Sequence, residues 1–388
     1  MYAPTVLLVA AVLLPVLVNL GRPVGAAGGL ARWDRNALTA GRGAWDTGLR
    51  SRRRSRIILI YGSGGMPAWS ADRLRYYVAH VTPEGKADGW FFDTVLFLAL
   101  AADSQRGFDP GYGNGPSQAE DWRWYLDQRL FGGNPAAAAA RPERSRGEQR
   151  RSLGEAAELE QAVRIAGKEL GEPGQVVRVI VGIPYPDPKA GEFGELDGRK
   201  LDFSLPEDRA AAVKWYMRET ARRWSASSFD HLRLAGFYWI REEVSEQDRP
   251  LLKLVASLAG DQLVPLYWIP YYNSPGRDQW RELGFDIAIQ QPNYYFNDVP
   301  QERLRDAAQL AWGGRMGVEL ELDRRVLQSE ERRQRYQSYL EAGVQYGFQQ
   351  ASTLAWYDDT ALLECARAQD PAVRRVYDLT CAFVRGPG

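Results

Sequence analysis

Short apolar runs alternate with amphipathic stretches along most of the chain. The runs that are typical of strands are residues 57–61, 90–97, 176–183, 232–240, 263–269, 285–290, 316–321 and 352–357. Between them, residues 210–224, 250–259, 301–312 and 330–346 carry apolar residues at the three- and four-residue spacing of helices. This alternation predicts a parallel sheet with crossover helices, and eight such units favour a closed (β/α)₈ barrel over an open doubly wound sheet.

Three segments fall outside the alternation. Residues 103–153 form a long insertion after the second strand, with a five-alanine run and the island Asp121-Trp-Arg-Trp-Tyr125, and loops of this length are usually lids or spacers. Residues 1–27 combine an apolar run with small residues, which predicts a cleaved export signal or, alternatively, an uncleaved anchor. Residues 28–55, rich in Gly, Arg and Ala, are predicted to link this segment to a domain spanning 56–385. We therefore expect a secreted or cell-surface protein.

Composition removes several classes of function. Lys plus Arg and Asp plus Glu both number 49, so the formal net charge is zero and a nucleic-acid partner is not expected. His80 and His231 lie in different units without a ligand pattern, which argues against a histidine metal site or a Ser-His-Asp triad. A hard cation held by the acidic seventh run or by Asp358-Asp359 lacks sufficient donors, so no metal or cofactor is predicted. Cys365 and Cys381 leave two interpretations open, a disulfide or a pair of buried thiols.

Carboxylates follow the fourth predicted strand and line the seventh. Glu242 and Glu243 come directly after the fourth run, and alternation in the seventh run places Glu319, Glu321 and Asp323 opposite its apolar residues. Because a barrel's active site lies at the carboxyl ends of its strands, we expect these side chains in the barrel mouth. A surface strand with solvated glutamates would show the same alternation, but Gly317 on the acidic face favours a crowded interior. Two such carboxyls suit glycoside hydrolysis, in which one stays protonated as the acid and the other stays ionised as nucleophile or base.

Aromatic and amide residues surround these carboxylates at the predicted strand ends. Rings there could stack on sugar faces and amides could fix hydroxyl groups, although wall packing explains any single ring equally well. The predicted substrate-binding residues are Glu243, Tyr61, Asp93, Trp239, Trp268, Tyr271, Tyr272, Gln291, Asn293, Tyr294, Trp356 and Tyr357. The expected partner is a carbohydrate polymer or oligosaccharide.

An ordered set of sequence blocks resembles an uncharacterised bacterial family, domain of unknown function number four thousand eight hundred and fifty-five. The blocks that carry the resemblance are Gly236-Phe-Tyr-Trp-Ile-Arg-Glu-Glu243, Trp268-Ile-Pro-Tyr-Tyr272, Leu283-Gly-Phe-Asp286, Gln291-Pro-Asn-Tyr294 and Met316-Gly-Val-Glu-Leu-Glu321. The resemblance covers residues from about 56 to 385 and implies a glycoside-hydrolase-like TIM barrel.

The pattern is also similar to a clan of retaining glycosidases with the acid/base after the fourth strand and the nucleophile after the seventh. By position, this similarity implies Glu242 as acid/base and Glu321 or Glu319 as nucleophile. Arg241 stands where the clan has an asparagine, which leaves the choice between Glu242 and Glu243 open.

Two functions follow from the sequence. The first is hydrolysis of O-glycosidic bonds in an extracellular or cell-surface polysaccharide. The alternative is a non-catalytic carbohydrate-binding or surface-structural barrel. A hydrolase acting on a non-sugar substrate is disfavoured because no pattern of nucleophile plus base is present.

Overall fold

Eight parallel strands close into a barrel in a computed structural model that describes residues 54–132, 153–171 and 175–386. The strands, in chain order, are β1 (Arg56–Tyr61), β2 (Thr94–Leu98), β3 (Val177–Ile183), β4 (Leu232–Trp239), β5 (Leu266–Trp268), β6 (Ile287–Gln290), β7 (Gly317–Glu321) and β8 (Leu354–Tyr357). Each strand pairs in parallel with the next, and β8 pairs with β1, so the predicted barrel is confirmed.

The barrel strands are mostly apolar because both of their faces are covered, and the two glutamates of β7 are exceptions. All five residues of β7 are buried, as expected of parallel strands enclosed between a barrel interior and surrounding helices. Gly317 is required by this crowding, since a Cβ atom there would lie 2.4 Å from the carbonyl oxygen of Thr353. Glycine therefore allows β7 to approach β8, with which it pairs from Val318 to Glu321.

The helices connect successive strands with one exception. They are α1 (Ala71–Val78), α2 (Ala119–Trp124), α3 (Glu155–Leu170), α4 (Pro206–Ser227), α5 (Arg249–Asp261), α6 (Glu302–Gly314), α7 (Glu330–Gln345), α8 (Phe348–Ala351), α9 (Ala361–Arg367) and α10 (Pro371–Arg385). The four predicted helices correspond to α4 to α7. Between β5 and β6 the chain forms only the 3₁₀ turn Arg277–Gln279, because prolines and glycines punctuate this segment and interrupt a helix.

Two antiparallel hairpins lie outside the barrel and were not predicted. Ala79–Val81 pairs with Ala87–Trp90 between α1 and β2, and Glu192–Leu196 pairs with Arg199–Asp202 between β3 and α4. The predicted run 90–97 therefore contained the end of a hairpin strand as well as β2. A single apolar stretch cannot reveal that the chain changes direction within it.

The two cysteines are buried and carry free thiols on α9 and α10. Of the two interpretations of Cys365 and Cys381, the structure has the pair of buried thiols. Among the described residues no helix combines the length and the apolar character needed to cross a membrane. The predicted export segment, residues 1–27, and all but the last two residues of the predicted linker lie outside the described residues.

Candidate active site

Carboxyl groups from β4 and β7 meet in the barrel mouth. Glu319 and Glu321 on β7 are only 3% and 2% exposed, so the interpretation as a solvated surface strand is wrong. Glu242 follows the end of β4 and interacts electrostatically with both of them. Asp323 instead caps the turn Arg324–Leu327, so it stabilises the loop after β7.

Glu321 is the carboxylate that the protein surrounds with hydrogen-bond donors. The side-chain amide of Asn293 donates to Oε1 at 3.1 Å, and the backbone N–H of Tyr294 donates to Oε2 at 3.2 Å. The hydroxyl of Tyr339, on α7, also donates to Oε2. Burial raises the pKa of Glu321, whereas these donors favour the ionised form and oppose that rise. Glu321 is therefore suited to act as nucleophile or base.

Glu242 has a different environment. Solvent reaches its side chain through the open mouth, but protein groups crowd the carboxyl and the resulting desolvation raises its pKa to about 7. A hydrogen bond with the side chain of Gln291 opposes this rise, while the charge of Glu321 adds to it. A carboxyl with a pKa near neutrality can remain protonated as a general acid at neutral pH.

Two amides connect these carboxyls. Asn293 donates to Gln291 Oε1 at 2.9 Å as well as to Glu321, and Gln291 contacts Glu242. Asn293 has a φ of 47°, a left-handed conformation that asparagine tolerates, and its Oδ1 accepts from the backbone N–H of Tyr272 at 2.7 Å. The amides were predicted to bind substrate hydroxyls, but in the structure they hold the two carboxyls in place.

Glu319 lies below this pair and has no comparable support. Within the described part of the chain no donor contacts its carboxyl, and its pKa is raised well above the ordinary value by burial, by Glu321 and by Glu242. Tyr61 and Tyr238 also face it electrostatically. The two predicted candidates for the nucleophile therefore differ, and the donors favour Glu321.

Arg241 forms ion pairs with Glu243 and with Asp109, a carboxylate that the sequence did not reveal. It forms an ion pair with Glu243, and Tyr271 donates to the same carboxylate at 3.3 Å. Its other partner is Asp109, at 3.6 Å, whose pKa is raised to about 7 by burial despite the arginine. Glu243 is thus held by Arg241, which leaves Glu242 as the carboxyl turned towards Glu321.

The insertion after β2 supplies part of the mouth. Its loop is closed by backbone hydrogen bonds from Gly107 to Gly115 at 2.8 Å and from Ser117 to Gly107 at 2.9 Å. This loop places Asp109 and Tyr112 beside Glu242. Desolvation of the Tyr112 hydroxyl and the carboxyls of Glu242 and Asp109 raise the pKa of Tyr112 to about 12, while part of its ring stays exposed. The glycine-rich spacing from Gly107 to Gly115, within the insertion that follows β2, is the signal that could have found these residues.

Some predicted aromatic residues lie in the mouth. Tyr61 and Tyr357 meet edge to face at the ends of β1 and β8, with ring centroids 5.7 Å apart. Tyr271 contacts Glu243, and the ring of Tyr272 lies 3.9 Å from the guanidinium of Arg303. All four are partly exposed.

Other predicted aromatic residues belong to the barrel wall. The predicted sugar-stacking role is wrong for Trp239, Trp268 and Trp356, which are fully buried. Trp268 stacks on Phe285 at 4.8 Å, and Trp356 donates to the hydroxyl of Tyr336 on α7 at 3.1 Å. Neighbouring strand residues face opposite sides, so the tyrosines beside these tryptophans take the inward positions.

Two further predictions need correction. The ring of Tyr294 is buried between Tyr339 and Arg335, so only its backbone N–H serves the site. Asp93 precedes the first residue of β2 and therefore lies at the amino-terminal end of the barrel, opposite the mouth. It accepts from the backbone N–H of Arg56 at 2.9 Å and pairs with Arg178 at 2.8 Å, which is a structural role.

The mouth carboxyls are not arranged as a metal centre. Among the described residues, only Glu160, Asp230 and His231 bring three ligand atoms within 4.8 Å of one another. His231 directly precedes β4, so this group lies at the amino-terminal end of the barrel. Neither the acidic face of β7 nor Asp358-Asp359 forms such a group in the part of the chain that the structure describes.

Comparison with known proteins identifies a family. The family model described as "Domain of unknown function (DUF4855)" matches residues 56–382. Solved structures similar to this chain include tryptophan synthase from M. tuberculosis in an open form with BRD0059 bound. The identity is 12% and the TM-score 0.37, and the match covers 89% of this chain and 98% of that one. Another is a tryptophan synthase complex from Pyrococcus furiosus, at 11% identity and a TM-score of 0.38, covering 84% of this chain and 95% of that one. Similarities this low carry no argument about activity. A comparison with the curated proteins finds no match.

Proposed function

From the premise that the chain belongs to the DUF4855 family, we propose that it hydrolyses O-glycosidic bonds in an extracellular or cell-surface polysaccharide. The observation that carries this proposal is the contrast between Glu242 and Glu321 in one mouth. Glu242 has a pKa of about 7, while donors on both oxygens favour the ionised form of Glu321. One protonated and one ionised carboxyl are the requirement of glycoside hydrolysis.

In the proposed reaction Glu242 is the proton donor and Glu321 is the nucleophile or the base; as a base, Glu321 returns its proton to solvent and Glu242 regains one from it after each turnover. Glu242 donates its proton to the glycosidic oxygen as the bond from the anomeric carbon to that oxygen breaks. Glu321 either attacks the anomeric carbon or takes a proton from the water that attacks it. In the first case Glu242 then deprotonates the water that releases the sugar, and in both cases the sum is the addition of one water across the bond.

The remaining groups of the mouth suit a sugar ligand. Tyr61, Tyr357 and Tyr112 offer aromatic surface at the rim, and Tyr112 is 41% exposed. An extracellular location is part of the proposal and rests on the apolar run within residues 1–27.

Hydrolysis of a broad panel of polysaccharides, measured as new reducing ends, tests this function. We expect Glu242→Gln and Glu321→Gln each to lower the rate by about 10²- to 10⁴-fold, the usual contribution of such groups. Glu282→Gln, at an exposed position outside the mouth, is the control. Activity that survives both mouth substitutions contradicts the proposal. A parent protein that binds polysaccharides but cleaves none of them supports the non-catalytic carbohydrate-binding alternative.

A further inference from the structure

The floor of the mouth contains a buried carboxyl that has no hydrogen-bond donor among the described residues. Glu319 is 3% exposed, and no described residue donates a hydrogen bond to it. The titratable groups that face it are Tyr61 from β1, Tyr238 from β4, Glu242 from the loop after β4, and Glu321 from its own strand. Because its oxygens are not sealed from solvent, water or a ligand in the mouth provides the hydrogen-bond partner that the described residues do not.

The charges around Glu319 specify what kind of partner fits. Glu242 and Glu321 are both carboxyls, and neither neutralises Glu319. Arg241, the cation beside Glu242, already pairs with Glu243 and Asp109. A sugar that carries a carboxylate, sulfate or phosphate would be repelled here, whereas a positively charged group would be attracted.

A metal ion fits this position less well than an ammonium group. The mouth carboxyls do not bring three ligand atoms within 4.8 Å of one another, and the described residues do so only around Glu160. An ammonium group needs less convergence, because its three N–H donors can reach separate acceptors.

We propose that the sugar bound in this mouth carries a free amine and that Glu319 receives its ammonium group. This inference rests on the proposed function in that the ligand is a sugar. It assigns the substrate to polysaccharides that contain hexosamine with a free amino group, as opposed to neutral, acidic or fully N-acetylated polymers.

Binding should release a proton. Before a ligand binds, burial and the two neighbouring carboxyls raise the pKa of Glu319 and so favour its protonated form. An ammonium group favours the ionised carboxylate, so the proton leaves when the amine binds, and affinity increases with pH as long as the amine stays charged.

Titration calorimetry with hexosamine oligosaccharides of gluco and galacto configuration, each beside its N-acetylated counterpart, tests the inference. We expect at least one free-amine oligosaccharide to bind about ten- to hundred-fold more tightly than its N-acetylated form, as for a hydrogen bond between charged groups. Titrations in two buffers of different ionisation enthalpy should show proton release. This measurement uses the unmodified protein and does not depend on how any variant folds.

A matched pair of variants completes the test. Glu319→Gln, which keeps the shape of the side chain, should abolish both the preference for the amine and the proton release, while Glu282→Gln should keep both. Equal or tighter binding of the N-acetylated forms, no binding of any amine, or an unchanged preference in Glu319→Gln overturns the inference. Hydrolysis of neutral polymers alone also overturns it but leaves the proposed function intact. Binding of amines through Glu319 without cleavage of any polymer supports it and refutes the hydrolase.

Discussion

Replacing Tyr339 by phenylalanine tests how the protein keeps Glu321 ionised. The substitution removes one hydroxyl that donates to Oε2 of Glu321 and leaves the ring packed against Tyr294, where the centroids lie 5.6 Å apart. The donors from Asn293 and from the backbone of Tyr294, at 3.1 and 3.2 Å, remain. We therefore expect the variant to fold and to lose only part of the stabilisation of the carboxylate.

The size of the effect follows from the charge of the acceptor. A hydrogen bond to a charged group contributes about 1.5–3 kcal/mol, which is about a ten- to hundred-fold change in an equilibrium. Since Tyr339 favours the ionised form, its loss raises the pKa of Glu321. On the acidic side of the pH profile, kcat/KM should fall by that factor, and the loss should shrink as the pH rises and Glu321 ionises.

Tyr336→Phe is the matched control for this experiment. Tyr336 lies on the same helix, is equally buried, and bonds to Thr380 at 2.7 Å and to Trp356 at 3.1 Å instead of to the site. Each variant should lose about 1–3 kcal/mol of unfolding free energy, because Tyr339 donates to a charged group and Tyr336 takes part in two hydrogen bonds, but only Tyr339→Phe should move the acidic limb. If both variants leave the acidic limb in place, Glu321 is not the ionised group that the reaction requires.

Three further predictions concern the mouth, the wall and the thiols. Because Glu242 must be protonated and its pKa is about 7, activity should fall as the pH rises through about 7, and Glu242→Gln should lack this limb; an unchanged limb in the variant contradicts the assignment. Trp268→Ala should lower the free energy of unfolding in urea by about 3–5 kcal/mol, because the ring is fully buried, whereas a small change would refute its role in the wall. Burial raises the pKa of Cys365 and Cys381 to about 12, so neither should react with a thiol reagent at neutral pH until the protein unfolds; rapid labelling of the native protein would contradict this.

The sequence predicted the fold best where the same physical requirement applies to every residue of a helix or strand. Strands covered on both faces are mostly apolar, so all eight barrel strands appeared as short, largely apolar runs. The alternation in β7 correctly placed Glu319 and Glu321 on the inward face, because side chains in a strand alternate strictly.

The features that the sequence did not reveal depend on three-dimensional contacts. Tyr238 and Trp239 are adjacent and equally aromatic, and only the orientation of β4 in the barrel decides which of them faces the mouth. The hydrogen bonds that differentiate Glu242 from Glu321 come from the loop after β6 and from α7, distant in sequence. Asp109 reaches the mouth from an insertion without helical or strand periodicity, where the spacing of glycines was the signal available in the sequence.

The central claim is that Glu242 holds a proton under conditions in which Glu321 has lost its own. A ¹³C NMR titration of the glutamate side-chain carboxyl carbons measures this directly, with the two resonances assigned by their loss in Glu242→Gln and in Glu321→Gln. The account predicts that the Glu242 resonance titrates near pH 7 and the Glu321 resonance at a lower pH. A reversed order, or two resonances that titrate together as for ordinary exposed glutamates, would contradict it.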